Sequence, residues 1–470
     1  MTDTQNIHWV VISVCFASFM SKLNIYIVNV ALPTIARYYG IGTGEASLIV
    51  LSLLLFTAGT TLVFGKLADG RYLKNVFLGG YLLFVFSSLL CGLAPTIGLM
   101  ISARALQGVA GAALAVSSIA LIPRLIPAEK RGWAFGIAAT SAALGITIGA
   151  PLGGVITGYF SWRWVFFVNV PVGIFAFFIA RKFIPDVQSG EAESGTGFDW
   201  LGAFLSFAAL CSFMYALNRG RDEGWFSAPI LGALVLSAGF SVWFVRRETG
   251  LSRPLLDMNI FSNRRFSLAV LSACLVFMVI SAVSFFMPFQ LELLKGLKPQ
   301  YVGFLMMIYS LAIVLFAPFA GRLADRVPSC RVCGAGLFAG AAACLLFSYA
   351  LGWPGVLAAA LFLAIFGVAM AFFIPANNYH IMSLALPGER GAASGVYNTM
   401  QTVSMALGVG VFEAIFSQAL PAGREIHEVS PAFLVKGFRL DFCLASVLLF
   451  AALGATLHAG RFAGPAEKKD

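Results

Sequence analysis

Long apolar runs near twenty residues, each closed by a short polar stretch, set the pattern of this chain. Fourteen can be marked, at about 8–32, 45–65, 75–94, 97–122, 132–158, 163–184, 198–217, 226–246, 265–291, 300–320, 332–350, 354–382, 391–419 and 437–459. A helix needs about twenty apolar residues to cross a bilayer's hydrocarbon layer, and these runs have that length. Strand-like alternation is absent. In lipid each segment must satisfy its own backbone groups, so the runs predict helices and not the strands of an outer-membrane barrel. The expected fold is an all-α membrane protein with fourteen transmembrane helices.

One polar stretch recurs. Residues 65–74 read GKLADGRYLK and residues 321–331 read GRLADRVPSCR, each between two apolar runs. Gly65 and Gly321 are 256 residues apart, as are Asp69 and Asp325. Such an echo marks an internal repeat. Two repeats of membrane helices point to a transporter with its site where the repeats meet. The two stretches follow runs 2 and 10, eight runs apart, where two directly joined six-helix halves would place them six apart. One extra hairpin is therefore inserted, and runs 7 and 8 are its natural position. They follow DVQSGEAESGTG (186–197), a polar linker. The predicted layout is a six-helix bundle over 1–185, a linker and hairpin over 186–250, and a second six-helix bundle over 251–470.

Composition narrows this further. Of 470 residues, 59% are hydrophobic and 11% charged, with a mean hydropathy of +0.88; a soluble domain carries roughly 25% charged residues. The net charge of +10 does not point to nucleic acid, because the cations sit mainly in the connections. Twenty Lys and Arg fall on the side shared by the termini, nine on the other, and Lys22 and Arg104 inside runs. That asymmetry predicts both termini in the cytoplasm. Most of the eight Cys lie inside apolar runs and read as small packing residues. Cys330 and Cys333 form a single CxxC with no second pair or His nearby in sequence, so no metal site is expected. No P-loop, HExxH or GxSxG occurs, which argues against ATP-driven pumping and against an enzyme.

The candidate working residues are the polar ones inside the apolar runs. Lys22 lies in the first run, too deep to reach the interface easily; at 100° per residue Lys22, Tyr26, Asn29 and Pro33 share a helix face, while Asn24 points elsewhere. Arg104 and Gln107 lie in the fourth run. Both cations need partners or a water-filled cavity, and each has a structural reading beside a role in binding or proton handling. In the fifth run Gly145, Gly149 and Gly153 repeat every fourth residue around Pro151; this predicts a packing and hinge element. In the second half Gln290, Asn377, Asn378, Asn398 and Glu413 are candidates for substrate binding or proton coupling. Glu413 reads as the one carboxylate well inside a run, a partner for Lys22 or Arg104 or a titrating group. Gly65, Asp69, Arg71, Gly321, Asp325 and Arg326 read as an ion-paired gate in two inner loops. The 44 Phe would favour an apolar or amphipathic ligand where they line a cavity.

These segments resemble the major facilitator superfamily, in its 14-helix drug/proton antiporter branch. NVALP (29–33), GKLAD, RALQGVAGAA, GAPLGG (149–154), SWRWVFFVNVPVG (161–173), FDWLG (198–202) and GERGAASGVYNT (388–399) are similar to that branch in type and order. The resemblance implies two six-helix bundles rocking about a central site, with proton entry driving export. It implies gate roles for Asp69 and Asp325, a proton-relay role for Arg104, and the antiporter glycine motif for Gly149, Gly153 and Gly154. Three departures stand out. Asn24 occupies the place where the branch usually has Asp, with Lys22 two residues earlier. Gly70 and Tyr72 replace the usual Arg and Gly of the first gate loop. Pro151 falls one residue late.

The function expected is a proton-coupled secondary transporter in a bacterial inner membrane. It would export an amphipathic organic solute, anionic or zwitterionic because Lys22 and Arg104 face no first-helix acid. It would need no cofactor beyond the proton gradient. A periplasmic adaptor is compatible with the resemblance, though no loop calls for one. Uptake of an organic anion fits the same residues, and so does a non-transporting sensor or scaffold.

Overall fold

The computed structural model of the chain describes residues 4–69, 73–186, 199–251, 258–384, 390–421 and 429–461. Among them there is no strand. The helices are α1 (Thr4–Tyr39), α2 (Thr43–Asp69), α3 (Leu73–Leu93), α4 (Ile97–Leu125), α5 (Ala128–Tyr159), α6 (Trp164–Phe167), α7 (Asn169–Phe183), α8 (Trp200–Glu223), α9 (Ala228–Glu248), α10 (Arg264–Leu293), α11 (Pro299–Arg326), α12 (Ser329–Ala350), α13 (Leu357–Leu384), α14 (Arg390–Gln418) and α15 (Pro431–Arg461). A 3-10 turn covers Met258–Ser262. α6 and α7 together make one span, interrupted at Val168, so fourteen stretches are long and apolar enough to cross a membrane. The chain is a multi-pass membrane protein.

α3 shows why such a sequence forms a membrane helix. It is apolar around its whole circumference, with Tyr81, Phe84, Ser88 and Cys91 buried and Leu82, Phe86, Leu89 and Leu93 exposed. Both sets recur at helical spacing. A helix apolar on every side suits lipid on one face and protein on the other.

Two compact units emerge. The first comprises 1–210 with 298–304, the second 211–297 with 305–470. Within the first, α1 packs on α5 and α7, and α4 packs on α2 and α3. Within the second, α10 packs on α14 and α15, and α12 packs on α13 and α15. The repeat read from two short loops extends into these contacts. A Cβ on Gly80 would meet Ala113 at 3.3 Å, and one on Gly336 would meet the Ala369 carbonyl at 2.6 Å. Gly108 sits against the Leu53 carbonyl, and Gly367 against that of Tyr309. Gly80 and Gly336, Ala113 and Ala369, and Leu53 and Tyr309 are all 256 residues apart. The two units thus close the same helix crossings with small residues, where missing side chains let backbones approach.

The recurring GKLAD and GRLAD stretches are not loops. α2 runs through Gly65 to Asp69, and α11 through Gly321 to Arg326. Gly costs a helix only about 1 kcal/mol relative to Ala, which the lipid requirement for internal backbone bonds outweighs. Nothing lies within 4 Å of a Cβ built on either glycine.

Candidate functional site

In the first unit the glycine row of α5 positions α1. A Cβ on Gly145 would meet the Phe19 carbonyl at 2.5 Å and Lys22 Cβ at 3.3 Å; one on Gly149 would meet Tyr26 Cβ at 2.9 Å; one on Gly153 would meet the Ile27 carbonyl at 2.5 Å. Backbone-to-backbone contact along Phe19–Ile27 therefore fixes where Lys22 and Tyr26 leave α1. Both are half-buried. Asn24 and Asn29 are buried, and the side-chain oxygen of each lacks a hydrogen-bond partner among the described residues. Pro33 has no N–H, so the Asn29 carbonyl also loses its intrahelical donor. The next glycine of the motif, Gly154, meets α11: its Cβ would lie 3.0 Å from Gly303 Cα. The row brings the α5 and α1 backbones into contact. α5 remains one continuous helix through Pro151.

Arg104 sits in a polar knot. It is 1% exposed; its Nε donates to the Ile49 carbonyl at 3.2 Å and its Nη1 to Gln107 Oε1 at 2.6 Å. Gln107 Nε2 donates to Ser88 Oγ at 2.8 Å, and Ser88 Oγ to the Phe84 carbonyl at 2.7 Å. The guanidinium also lies 6.0 Å from the Phe166 ring centroid. Its bonds tie α4 to α2 and α3, with neutral acceptors throughout. Sequence reasoning found Arg104 and Gln107 but not Ser88 or the Ile49 carbonyl, because a main-chain acceptor leaves no mark in the residue string.

The most specific motif, SWRWVFFVNVPVG, is a staple. Arg163 stacks on Tyr38 and Trp162, with centroid distances of 4.7 and 4.4 Å, and its Nη2 donates to the Ala94 carbonyl at 3.3 Å. Tyr39 donates to the same carbonyl at 2.9 Å. The ends of α1 and α3 and the start of α6 are thereby joined.

In the second unit the candidates are dispersed. Gln290 is fully buried in α10, and both its amide atoms lack partners among the described residues. Asn377 is buried with its Nδ2 unpartnered, while Asn378 is exposed. Asn398 is exposed and donates to Ser394 Oγ at 3.5 Å. Glu413 is 3% exposed. It is not the one carboxylate inside a span: Asp441 lies ten residues into α15, equally buried. Asp441 escaped notice because it stands close to a polar connection in sequence, whereas α15 begins well before it. The CxxC lacks a His in sequence but not in space, since Cys330 Sγ is 3.6 Å from His380 Nε2. Among the described residues no three His, Cys, Asp or Glu gather into a metal-binding group, and all eight Cys are free thiols.

Of the expected gate, Arg71 and the side chains of Asp69 and Asp325 lie outside the described residues. Arg326 is exposed. Lys74, at the end of the first gate stretch, pairs with Asp186 at 3.2 Å, joining the start of α3 to the segment after α7.

A family model described as Major Facilitator Superfamily matches residues 14–409. The riboflavin transporter RibZ of Clostridioides difficile is 28% identical over 441 residues, 93% of this chain and 95% of that protein. The multidrug resistance protein Stp of Mycobacterium tuberculosis is 30% identical, over 87% of this chain and 76% of its own. The puromycin resistance protein Pur8 of Streptomyces alboniger is 30% identical, over 96% and 91%. A bacterial homologue of the human lysosomal transporter Spinster superposes with a TM-score of 0.69 at 14% identity, covering 98% of both chains.

Proposed function

We propose, for a chain that belongs to the major facilitator superfamily and is a transporter on that account, proton-coupled export of an amphipathic organic solute by alternating access, with a preference for anionic or zwitterionic solutes. The observation that carries the charge preference is Lys22. It is half-buried on α1, its backbone is clamped by the glycine row of α5, and the buried neighbour Asn24 is neutral. A cation held at membrane depth is costly unless it meets water or an anion, so a solute carboxylate or phosphate is a favourable partner. Arg104, already bonded to neutral acceptors, adds positive potential without needing a counter-ion. Relatives named for multidrug and puromycin resistance support export of organic small molecules.

The termini lie in the cytoplasm, the membrane is a bacterial inner membrane, and the energy source is the proton gradient, with no resident cofactor; a periplasmic adaptor is compatible with this reading, though no loop calls for one. Charge asymmetry of the connections supports the orientation. The relative named as a riboflavin transporter keeps a second reading open, uptake of an organic anion with the same residues.

Everted membrane vesicles test this with matched cationic and anionic fluorescent amphiphiles, each with and without a proton gradient. Gradient-dependent accumulation of the anion, reduced about tenfold or more by Lys22→Ala, a loss of ~1.4 kcal/mol of interaction, is the expected result. Accumulation of the cation alone, or an anion flux untouched by Lys22→Ala, would sink the charge preference. Anion movement out of the vesicle would identify uptake.

A further inference from the structure

Asp441 is a buried charge-bearing group that the substrate reading leaves unused. It is 3% exposed, and neither carboxylate oxygen has a hydrogen-bond partner among the described residues. An aromatic layer fixes its surroundings. Phe286 of α10, Phe416 of α14 and Phe438 of α15 form a trio, with ring centroids 4.9 Å (286–416), 4.8 Å (416–438) and 6.3 Å (286–438) apart. Glu413 comes three residues before Phe416, and Asp441 three residues after Phe438. α14 and α15 are consecutive spans running in opposite directions, so both steps lead away from their connecting segment by about one turn. The two carboxyl groups therefore lie in one layer, separated from that connection by the three rings. Gly437 keeps the helices close, since a Cβ there would meet the Phe416 ring at 2.8 Å.

Among the described residues no cation pairs with Asp441. On α10 the stretch Val279–Phe286 contributes only the hydroxyls of Ser281 and Ser284 as polar side chains. On α12 the group tied to α15 at this level is Ser348, whose hydroxyl accepts from Cys443 Sγ at 3.6 Å. On α15 itself Lys436 is exposed, and Arg439 donates its Nε to the Ser348 carbonyl at 3.3 Å. The other carboxyl at this level among the described residues is Glu413 of α14, equally buried.

We propose that Glu413 and Asp441 form a proton-binding carboxyl pair in the second unit, with Asp441 taking up and releasing the coupling proton of the transport cycle. This rests on the proton-coupled reading above. A carboxylate buried without donors or a cation is the expensive state. The neutral acid needs only one acceptor, and Glu413 can provide it through a charge-assisted hydrogen bond. A like charge alongside adds to the advantage of the protonated form. In each cycle the proton leaves Asp441 for water on one side and is replaced from water on the other. No other bond changes.

The substrate-free test is infrared difference spectroscopy of the reconstituted wild type at about pH 7, where an ordinary carboxyl is ionised. A protonated-carboxyl stretch that shifts in heavy water is expected in the wild type and absent in Asp441→Asn. No such band in the wild type, where folding is not at issue, would overturn the pair. The transport test imposes a gradient of about one pH unit on everted vesicles. Loss of one driving proton per cycle lowers the limiting accumulation ratio about tenfold in Asp441→Asn, while exchange of labelled for unlabelled solute, which moves no net proton, persists. A gradient-driven wild type whose Asp441→Asn variant accumulated normally would overturn the site alone. A wild type that ignored the gradient would overturn proton coupling for the whole chain, and this role with it.

Discussion

Arg104 in the first unit and Asp441 in the second are both ionisable groups sealed inside a bundle, and their surroundings are opposite. Arg104 hands Nε and Nη1 to the Ile49 carbonyl and Gln107, and the chain of bonds continues to Ser88 and Phe84. Asp441 comes one turn after the ring of Phe438, which packs on that of Phe416, and has no donor for either oxygen among the described residues. A permanently charged guanidinium cannot shed its charge, so it must be housed. A carboxyl can take a proton, so it need not be. The contrast teaches that burial alone does not identify the moving part; a site able to change its charge is one left without fixed partners.

The largest effect should come from breaking the housed side. Arg104→Ala leaves Gln107 Oε1 without its donor and a cavity where the guanidinium stood, a loss on the order of 2–5 kcal/mol, visible as a large drop in the thermal midpoint in detergent. Near-normal stability would show that the knot is dispensable. Next, Gly153→Ala places a Cβ 2.5 Å from the Ile27 carbonyl. The backbones must separate, at a cost of about 1–3 kcal/mol, with transport lost alongside because Lys22 and Tyr26 move with α1. A much smaller effect is expected for Asp441→Leu, which removes a buried carboxyl together with the one hydrogen bond assigned to it, that to Glu413. Its stability should stay within about 1–2 kcal/mol of the wild type, while gradient-driven accumulation fails. A loss as large as that of Arg104→Ala would mean that the carboxyl is structural. Gly321→Ala meets open space and should stabilise by about 0.5–1 kcal/mol through helix propensity. The smallest change is Lys74→Ala. It breaks a pair whose Asp186 partner is mostly exposed and should alter stability by less than about 1 kcal/mol, with the difference shrinking further at high salt.

Much of the fold was legible from run length alone, because lipid forces each apolar run to satisfy its own backbone. The echo of GKLAD in GRLAD disclosed a repeat that the contacts then carried from α2–α4 to α11–α13, with the positions of Gly80, Ala113 and Leu53 recurring at the same 256-residue offset and that of Gly108 at 259. The row Gly145, Gly149, Gly153 announced a close helix crossing. Less was legible about the sites. Helix ends were misjudged where polar residues continue a helix beyond its apolar run, which turned the gate motifs into loops and hid Asp441 near the edge of a segment. Cys330 and His380 are 50 residues apart in sequence and 3.6 Å apart in space, a proximity with no local signature.

What the sequence by itself determined is the number of spans, the helical class, the repeat, and most of the polar residues that are costly in lipid, Asp441 excepted. Those follow from hydropathy and spacing, which are properties of the string. The tertiary structure alone decided which costly residues are satisfied and which are not. Arg104 and Asp441 look alike as isolated charges in apolar runs. Only the packing of α2 and α3 around one, and of α10 and α14 around the other, separates a cation with acceptors from a carboxyl with no donor among the described residues, because partners come from other helices and often from their main chain.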